Sequence, residues 1–306
     1  MQRVTFAVIV NAASGAGARA GTEAQLAHAF EAAGGEARIW FAGNGAELTA
    51  LAERAAHGDA EYVVAGGGDG TINAVATAII ESGKTLGVLP LGTMNHFAKD
   101  LGIPLNLDAA VGTIIAGHAT RVDVGDVNGR IFLNNSSLGL YPRVIRARER
   151  QQRLGWHKWP AYLWAAIGVL RRYPFLDVRL SVGGTEVSGR TPFVFVGNNA
   201  YDMERFTIGS RACLDGGTLS LYTTSHAGRL GLISLALRAL VGGLRQDRDF
   251  LAWSATDVWV GTRRTRLRVA LDGEVTIMEP PLHYRIRPGA LRVLAPVPAA
   301  GRRGRA

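Results

Sequence analysis

Four apolar runs of strand length, VTFAVIV (4–10), ARIWF (37–41), YVVA (62–65) and TLGVL (85–89), alternate with stretches whose apolar residues recur every three or four positions. That alternation constrains the fold more than any other feature. Leu26, Ala29, Phe30 and Ala33 mark a first helix, Leu48, Leu51, Ala52 and Ala55 a second, and Ile72, Val75, Ala76, Ile79 and Ile80 a third. Runs that stay apolar at every position belong to strands buried on both faces, and the intervening helices supply the cover. The expectation is an α/β domain, a doubly wound parallel sheet, over residues 1–122.

Beyond that point the pattern changes. Asn128-Gly129, Gly183-Gly184 and Asp272-Gly273 stand between strand-like runs in DVGDVNGRIFLNN, VRLSVGGTEVS and LRVALDGEVTIM. Such pairs adopt positive φ readily and link antiparallel strands. Residues 123–296 are therefore expected to form a mostly antiparallel β domain, interrupted near 143–172 and 228–246 by helical stretches, with 297–306 as a basic tail. A length of 306 residues suffices for two cores, and 47% hydrophobic against 19% charged residues excludes a disordered chain. The single cysteine, Cys213, excludes an internal disulfide, and the start of the chain does not read as a secretory leader. A reducing, cytoplasmic setting is expected.

At the end of the third apolar run lies VVAGGGDGTIN (63–73). Open α/β sheets bind ligands at the carboxyl ends of their strands, glycines let an anion approach the backbone, and a helix amino end favours phosphate. Asp69 beside phosphates makes sense with a divalent cation between them. The competing reading is a tight β-to-α connection in which Asp69 tolerates a left-handed backbone. A second polar loop, LPLGTMNHFAKDLGIP (89–104), follows the fourth run and brings Gly92, Thr93 and Asn95 to the same edge of the sheet. Two common nucleotide signatures fail. The tripeptide Gly83-Lys84-Thr85 has Ala78 where a P-loop requires glycine, and Gly15-Ala16-Gly17-Ala18-Arg19-Ala20 lacks a ribose-binding acid at Ala42, Gly43 or Asn44.

The formal charge is +9, and eight cationic side chains between Arg143 and Arg172 face only Glu149. Trp156, Trp159, Tyr162, Trp164 and Tyr173 lie among them. Aromatic residues settle at the headgroup level and cations are drawn to anionic lipid, so residues 143–173 suit a surface-lying membrane element; a core helix with a solvated basic flank is the alternative. The run PAYLWAAIGVL (160–170) is too short to span a bilayer. No nucleic-acid reading module accompanies the basic cluster, which argues against nucleic acid as a partner.

Taken together, NAASG (11–15), GGGDGTIN (66–73), PLGTMNHFAKDLGIP (90–104) and LDGE (271–274) resemble, in order and spacing, the soluble lipid kinases related to diacylglycerol and sphingosine kinases. The resemblance implies an α/β nucleotide domain, a β-rich lipid domain, and ATP with Mg²⁺ as cofactors. It places Asn11, Ser14 and Gly15 on the nucleotide, Gly67, Gly68, Asp69, Gly70 and Thr71 around its phosphates, and Thr93 and Asn95 beside them. Asp69 would help hold the cation. Asp272 would be the general base for the lipid hydroxyl, assisted by Glu274, and Asp215 would belong to a structural metal site. From spacing alone, Asp272-Gly273 reads as a hairpin turn, and it is the four motifs in register that point to catalysis. The chain departs from the family pattern at Ala12 (usually proline), Ala42 (threonine), His96 (an acid) and Gly216 (a second aspartate). The implied function is phosphorylation of diacylglycerol or a related lipid by a cytoplasmic enzyme peripheral to the inner face of the membrane. Another alcohol, namely a sphingoid base, phosphatidylglycerol or a nucleotide, is the enzymatic alternative, and a catalytically impaired nucleotide- or lipid-binding regulator is the non-enzymatic one.

Overall fold

A computed structural model of the chain describes residues 5–12, 19–139, 175–201, 211, 213–224 and 250–297. The helical stretches expected near 143–172 and 228–246, the basic aromatic segment 143–173 and residues 298–306 lie outside the described residues. The chain divides into two compact units, one of residues 1–124, 213–216 and 288–306, the other of residues 125–212 and 217–287. A single cut after residue 122 would miss two returns of the chain to the first unit.

In the first unit, β1 (Thr5–Asn11), α1 (Arg19–Ala32), β2 (Glu36–Ala42), α2 (Gly45–His57), β3 (Tyr62–Gly67), α3 (Asp69–Ile79) and β4 (Thr85–Pro90) alternate as the apolar pattern requires. The strands are parallel in the order β2-β1-β3-β4, and a late segment of the chain adds another parallel strand beside β4, with Arg292 opposite Thr85 and Val293 opposite Leu86. β3 and β4 are buried almost throughout, which is why their sequences show no alternation. The helices bury the stripes named above: Leu26 and Phe30 on α1, Leu48, Ala52 and Ala55 on α2, and Ile72, Val75, Ala76 and Ile79 on α3. Asn44 caps α2 by accepting the Glu47 N–H at 2.9 Å, while Glu47 reaches back to the Gly43 N–H at 2.7 Å, so two otherwise unpaired donors are satisfied. Two further helices, α4 (His96–Asp100) and α5 (Leu107–Ala116), precede β5 (His118–Val127).

The second unit is a sandwich of antiparallel strands. One sheet runs β12 (Leu251–Ala255), β11 (Leu219–Thr223), β10 (Phe193–Asn198), β7 (Asn135–Gly139), β14 (Leu267–Leu271), β15 (Glu274–Met278). The other contains β9 (Thr185–Thr191), β8 (Leu176–Val182), β13 (Asp257–Thr262) and the first part of β16 (Leu282–Ala295), with β6 (Arg130–Phe132) paired to the end of β5. Alternation is strict on β8, where Leu176, Val178, Leu180 and Val182 face the core, and side chains of both sheets meet in one apolar cluster. Tyr284 is wholly buried there, with its hydroxyl 3.0 Å from Ser136 Oγ. Burial pushes its phenol far above the usual range, against a smaller opposing effect of the Ser136 hydrogen bond.

All three predicted turns are present. Asn128 and Gly129 have φ of 48° and 81°, Gly183 and Gly184 55° and 84°, and Asp272 and Gly273 47° and 89°. They close hairpins in which Val127 pairs with Arg130, Val182 with Thr185 and Leu271 with Glu274. Asn128 does more than turn the chain, because its Oδ1 accepts the His283 N–H at 2.8 Å and its Nδ2 donates to the Pro281 carbonyl at 3.2 Å. Asn128→Ala is expected to cost about 1–2 kcal/mol, from an unfavourable left-handed alanine and the lost bonds. Asn128→Gly should recover only the backbone part, and urea unfolding of the two variants measures the difference.

Candidate functional site

Within the first unit the strand order 2-1-3-4 reverses between β1 and β3, and doubly wound sheets bind ligands at the carboxyl ends flanking such a reversal. Asn11 ends β1 and Gly66-Gly67 end β3. The end of β1 is tied to the first turn of the helix that follows β3 by Asn11 Nδ2, which donates to Thr71 Oγ1 at 3.1 Å. Helix α3 starts directly after Gly68, whose lack of a side chain leaves the first turn without a side-chain cap. The amide donors and positive dipole end of an eleven-residue helix are thus offered to an anion.

The glycines of this stretch serve the protein's own packing more than open space. A Cβ on Gly67 would lie 2.4 Å from Thr71 Oγ1, and one on Gly66 would lie 3.2 Å from Val10 and 3.3 Å from Leu91. A Cβ on Gly92 would lie 2.3 Å from the Gly68 Cα, so the loops after β3 and β4 touch backbone to backbone. At Gly68 itself the nearest atom to an added Cβ is the Gly92 Cα at 3.5 Å, an ordinary contact.

Asp69 has helical backbone as the first residue of α3, and the left-handed alternative does not apply. Its carboxylate crosses to the neighbouring loop, where Oδ2 accepts the His96 N–H at 3.2 Å and Oδ1 the Phe97 N–H at 3.0 Å. It therefore caps α4 from a distance of 27 residues in sequence. Each oxygen retains a further acceptor position, which fits a divalent cation held directly or through water. His96 occupies the first position of α4, where Asp69 already supplies the negative charge that a helix start favours. Asp69→Ala is expected to lower stability by about 1–2 kcal/mol through loss of this cap, read as a fall in thermal midpoint.

Asn95 is buried and left-handed (φ 52°), and its side chain folds the loop on itself. Oδ1 accepts the Gly92 N–H at 3.1 Å, and Nδ2 donates to the carbonyls of Gly92 at 2.7 Å and Pro90 at 3.2 Å. Thr93 is exposed at the apex of that loop. Asn11, Gly67, Gly68, Asp69, Gly70 and Thr71 are thus gathered at one strand edge, with the Thr93–Asn95 loop against them; Ser14 and Gly15 lie outside the described residues. Two departures from the family pattern meet as well: the Ala12 N–H donates to the Ala42 carbonyl at 2.9 Å, a bond that proline at position 12 could not form.

Asp215 is exposed, and no group of three His, Cys, Asp or Glu side chains stands together among the described residues. Next to it, the Leu214 carbonyl accepts the Asp123 N–H at 2.7 Å. Asp123 is only 2% exposed, and its Oδ1 accepts the Gly289 N–H at 2.8 Å. Sequence reasoning passed over Asp123, although two aspartates inside the strand-like run RVDVGDV carry a signal, since buried carboxylates require partners.

In the second unit Asp272 is both a turn residue and an anchored carboxylate. Oδ2 accepts the Leu133 N–H at 2.7 Å, and Oδ1 accepts those of Asn134 at 2.8 Å and Asn135 at 3.0 Å. Its own N–H donates to the Asn135 carbonyl at 2.9 Å. Three donors on one carboxylate fix its orientation with charge-assisted hydrogen bonds. Glu274 follows two residues on, exposed at the head of β15. Behind the 133–135 segment lie Asn198, Tyr201 and Arg211, which sequence reasoning also missed; the Asn-Asn pairs in FLNNSS and GNNAY were the available trace.

The chain thus combines an α/β unit with an uncapped helix start at the sheet reversal and a β-sandwich unit that anchors a hairpin carboxylate, and its relatives identify that combination as a kinase-type phosphotransferase. Residues 5–127 match the diacylglycerol kinase catalytic domain, and residues 138–295 match the YegS C-terminal NAD kinase beta sandwich-like domain. The chain is 33% identical over 217 residues to proteins named diacylglycerol kinase from Staphylococcus aureus strains JH9 and Newman, covering 68% of this chain and 68% of each relative. The crystal structure of a diacylglycerol kinase from Bacillus anthracis str. Sterne superposes with a TM-score of 0.73 at 22% identity, covering 96% of this chain and 98% of that one. A second crystal structure from the same strain gives 0.77 at 22% identity, with 96% of each chain covered. The chain belongs to the diacylglycerol kinase family.

Proposed function

We propose that the protein transfers the γ-phosphoryl group of ATP, with Mg²⁺, to the hydroxyl of diacylglycerol or a closely related lipid. The observation that carries this reading is the Asp272 carboxylate, held by three backbone donors in a chain of this family. Asp272 accepts the hydroxyl proton as the lipid oxygen forms its bond to phosphorus and the bond from phosphorus to the ADP oxygen breaks. The first turn of α3, with Gly67, Gly68, Gly70 and Thr71, binds the phosphates through backbone N–H groups. Asn11 orients Thr71, and Asp69 keeps one acceptor position per oxygen for the cation. When bound, the cation neutralises charge on the phosphates, and positioning with charge neutralisation supplies most of the acceleration in phosphoryl transfer.

Labelled ATP incubated with diacylglycerol, a sphingoid base, phosphatidylglycerol or no lipid, each with and without Mg²⁺, tests the reading. Label on diacylglycerol that requires the metal is the expected result. Label on another alcohol would reassign the substrate, and ATP binding without transfer to any acceptor would replace the enzyme with a regulator. The substrate is held in an anionic bilayer, and the basic aromatic segment 143–173 is the proposed peripheral contact. Among the described residues, no helix is long and apolar enough to cross a membrane. Flotation with vesicles that contain phosphatidylserine, at low and high salt, is expected to show salt-sensitive binding; equal recovery with neutral vesicles would remove the electrostatic part.

A further inference from the structure

Two of the three amides that hold Asp272 belong to peptide units whose carbonyls are themselves engaged. In the unit joining Leu133 to Asn134, the Asn134 N–H points to Asp272 Oδ1, and the Leu133 oxygen accepts from Arg211 Nη1 at 2.7 Å and from Asn198 Nδ2 at 2.9 Å. In the next unit, joining Asn134 to Asn135, the Asn135 N–H points to the same Oδ1, and the Asn134 oxygen accepts from the Tyr201 hydroxyl at 2.9 Å and from the Asn198 N–H at 2.9 Å. A trans peptide carries its C=O and N–H on opposite edges, so a donor on the oxygen and an acceptor on the hydrogen polarise it in the same sense.

Arg211 and Tyr201 are fixed to one another and to this segment. Their backbones form a β-bridge, and the guanidinium lies 5.7 Å from the Tyr201 ring centroid. Arg211 Nη2 also donates to Asn134 Oδ1 at 3.1 Å, and Nη1 to the Asn198 carbonyl at 3.1 Å. Both residues are buried, at 9% and 5% exposure, where such dipole chains are weakly screened. The other charged side chains on the strands bordering Asp272 are Arg130 on β6, Arg268 on β14 and Glu274 on β15. All three are exposed, and β7 and β10 carry none. Tyr222 adds a hydroxyl that donates to the Tyr201 carbonyl at 3.0 Å.

We propose that Arg211 and Tyr201 are positioning residues that set the basicity of the Asp272 carboxylate through these two successive peptide units. Each makes an amide of the cradle a stronger donor to Oδ1, which favours the anion and holds it in one orientation. The catalytic meaning rests on the reading of Asp272 as proton acceptor. The linkage itself is independent of turnover.

Backbone amide NMR of the full-length protein through an acid titration tests the linkage, because the Asn134 and Asn135 amide protons report the ionisation of the carboxylate they touch. Tyr201→Phe, which keeps the ring, is expected to move their titration midpoint upward by roughly 0.2–0.5 pH unit, the share of one charge-assisted hydrogen bond that polarisation supplies. Arg211→Met should move it upward by about one unit, and Arg211→Lys by less. The acid limb of the kcat profile should shift in the same direction, whereas a merely structural role would change amplitude and leave the midpoint in place. If Arg211→Met does not fold, Tyr201→Phe decides. A folded Tyr201→Phe protein with the wild-type midpoint overturns the proposal, whether or not lipid phosphorylation is observed.

Discussion

Asp272→Asn is expected to lower turnover by roughly two to four orders of magnitude, the range for loss of a positioned general base. The same change should lower stability by about 1–3 kcal/mol, because one cradle amide then faces an NH₂ group in place of an acceptor. Asparagine tolerates the left-handed backbone at φ 47°, so the turn survives and the hairpin pairing of Leu271 with Glu274 is retained. Its Oδ1 can still accept from Asn134 and Asn135, which leaves the Leu133 N–H as the donor without a match. Urea unfolding measures the stability change, and a lipid phosphorylation assay measures turnover at a temperature where the variant is fully folded. Turnover within a fewfold of wild type would remove Asp272 from the chemistry and leave it a structural turn. Substitution by alanine is less informative, since it empties the cradle and strains the backbone at once.

Gly92→Ala is expected to cost about 1–3 kcal/mol, as overpacking does when neither partner can move aside. The added methyl would meet the Gly68 Cα at 2.3 Å, the Gly68 nitrogen at 2.8 Å and Asn95 Oδ1 at 2.9 Å, and two of the three are backbone atoms. The loops after β3 and β4 must then separate, which disturbs the Asn95 fold of the loop and the reach of Asp69 to α4. ATP affinity, measured by calorimetry, should fall with stability. Gly68→Ala is the control, since its methyl has an ordinary 3.5 Å neighbour and a backbone φ of −89° that alanine adopts freely. A Gly68→Ala protein of normal stability and weakened ATP binding would show that this glycine is kept for close approach of the ligand. Normal ATP binding in both variants would detach these loops from the nucleotide.

The parallel sheet was legible because burial on both faces leaves β3 and β4 without polar alternation, and runs of strand length between helical stretches show that pattern. The three hairpins were legible for a different reason: positive φ at two successive residues is so restrictive that Asn-Gly, Gly-Gly and Asp-Gly announce it. Five-residue α4 is too short for its period to repeat, and α5, with Ala110, Val111 and Ile114 buried, was missed although its spacing carried the signal. Of the candidate site, the residue types were readable but their partners were not. Asp69 reads as a cation ligand, yet its described hydrogen bonds go to amides more than twenty residues away. The glycines read as room for phosphate, yet Gly67 and Gly92 are filled by Thr71 and Gly68. Such contacts between distant segments leave no local pattern in the chain.

The strand beside β4 has a consequence for how the protein is made. Residues near 292 add a parallel strand to the sheet that residue 5 begins, so the first unit cannot close while the intervening residues are still being translated. At ordinary elongation rates that interval is on the order of ten seconds or more, during which one edge of β4 stands open to any extended chain nearby. A nascent polypeptide stalled before that point would carry an unfinished sheet, and chaperone engagement should be greatest there.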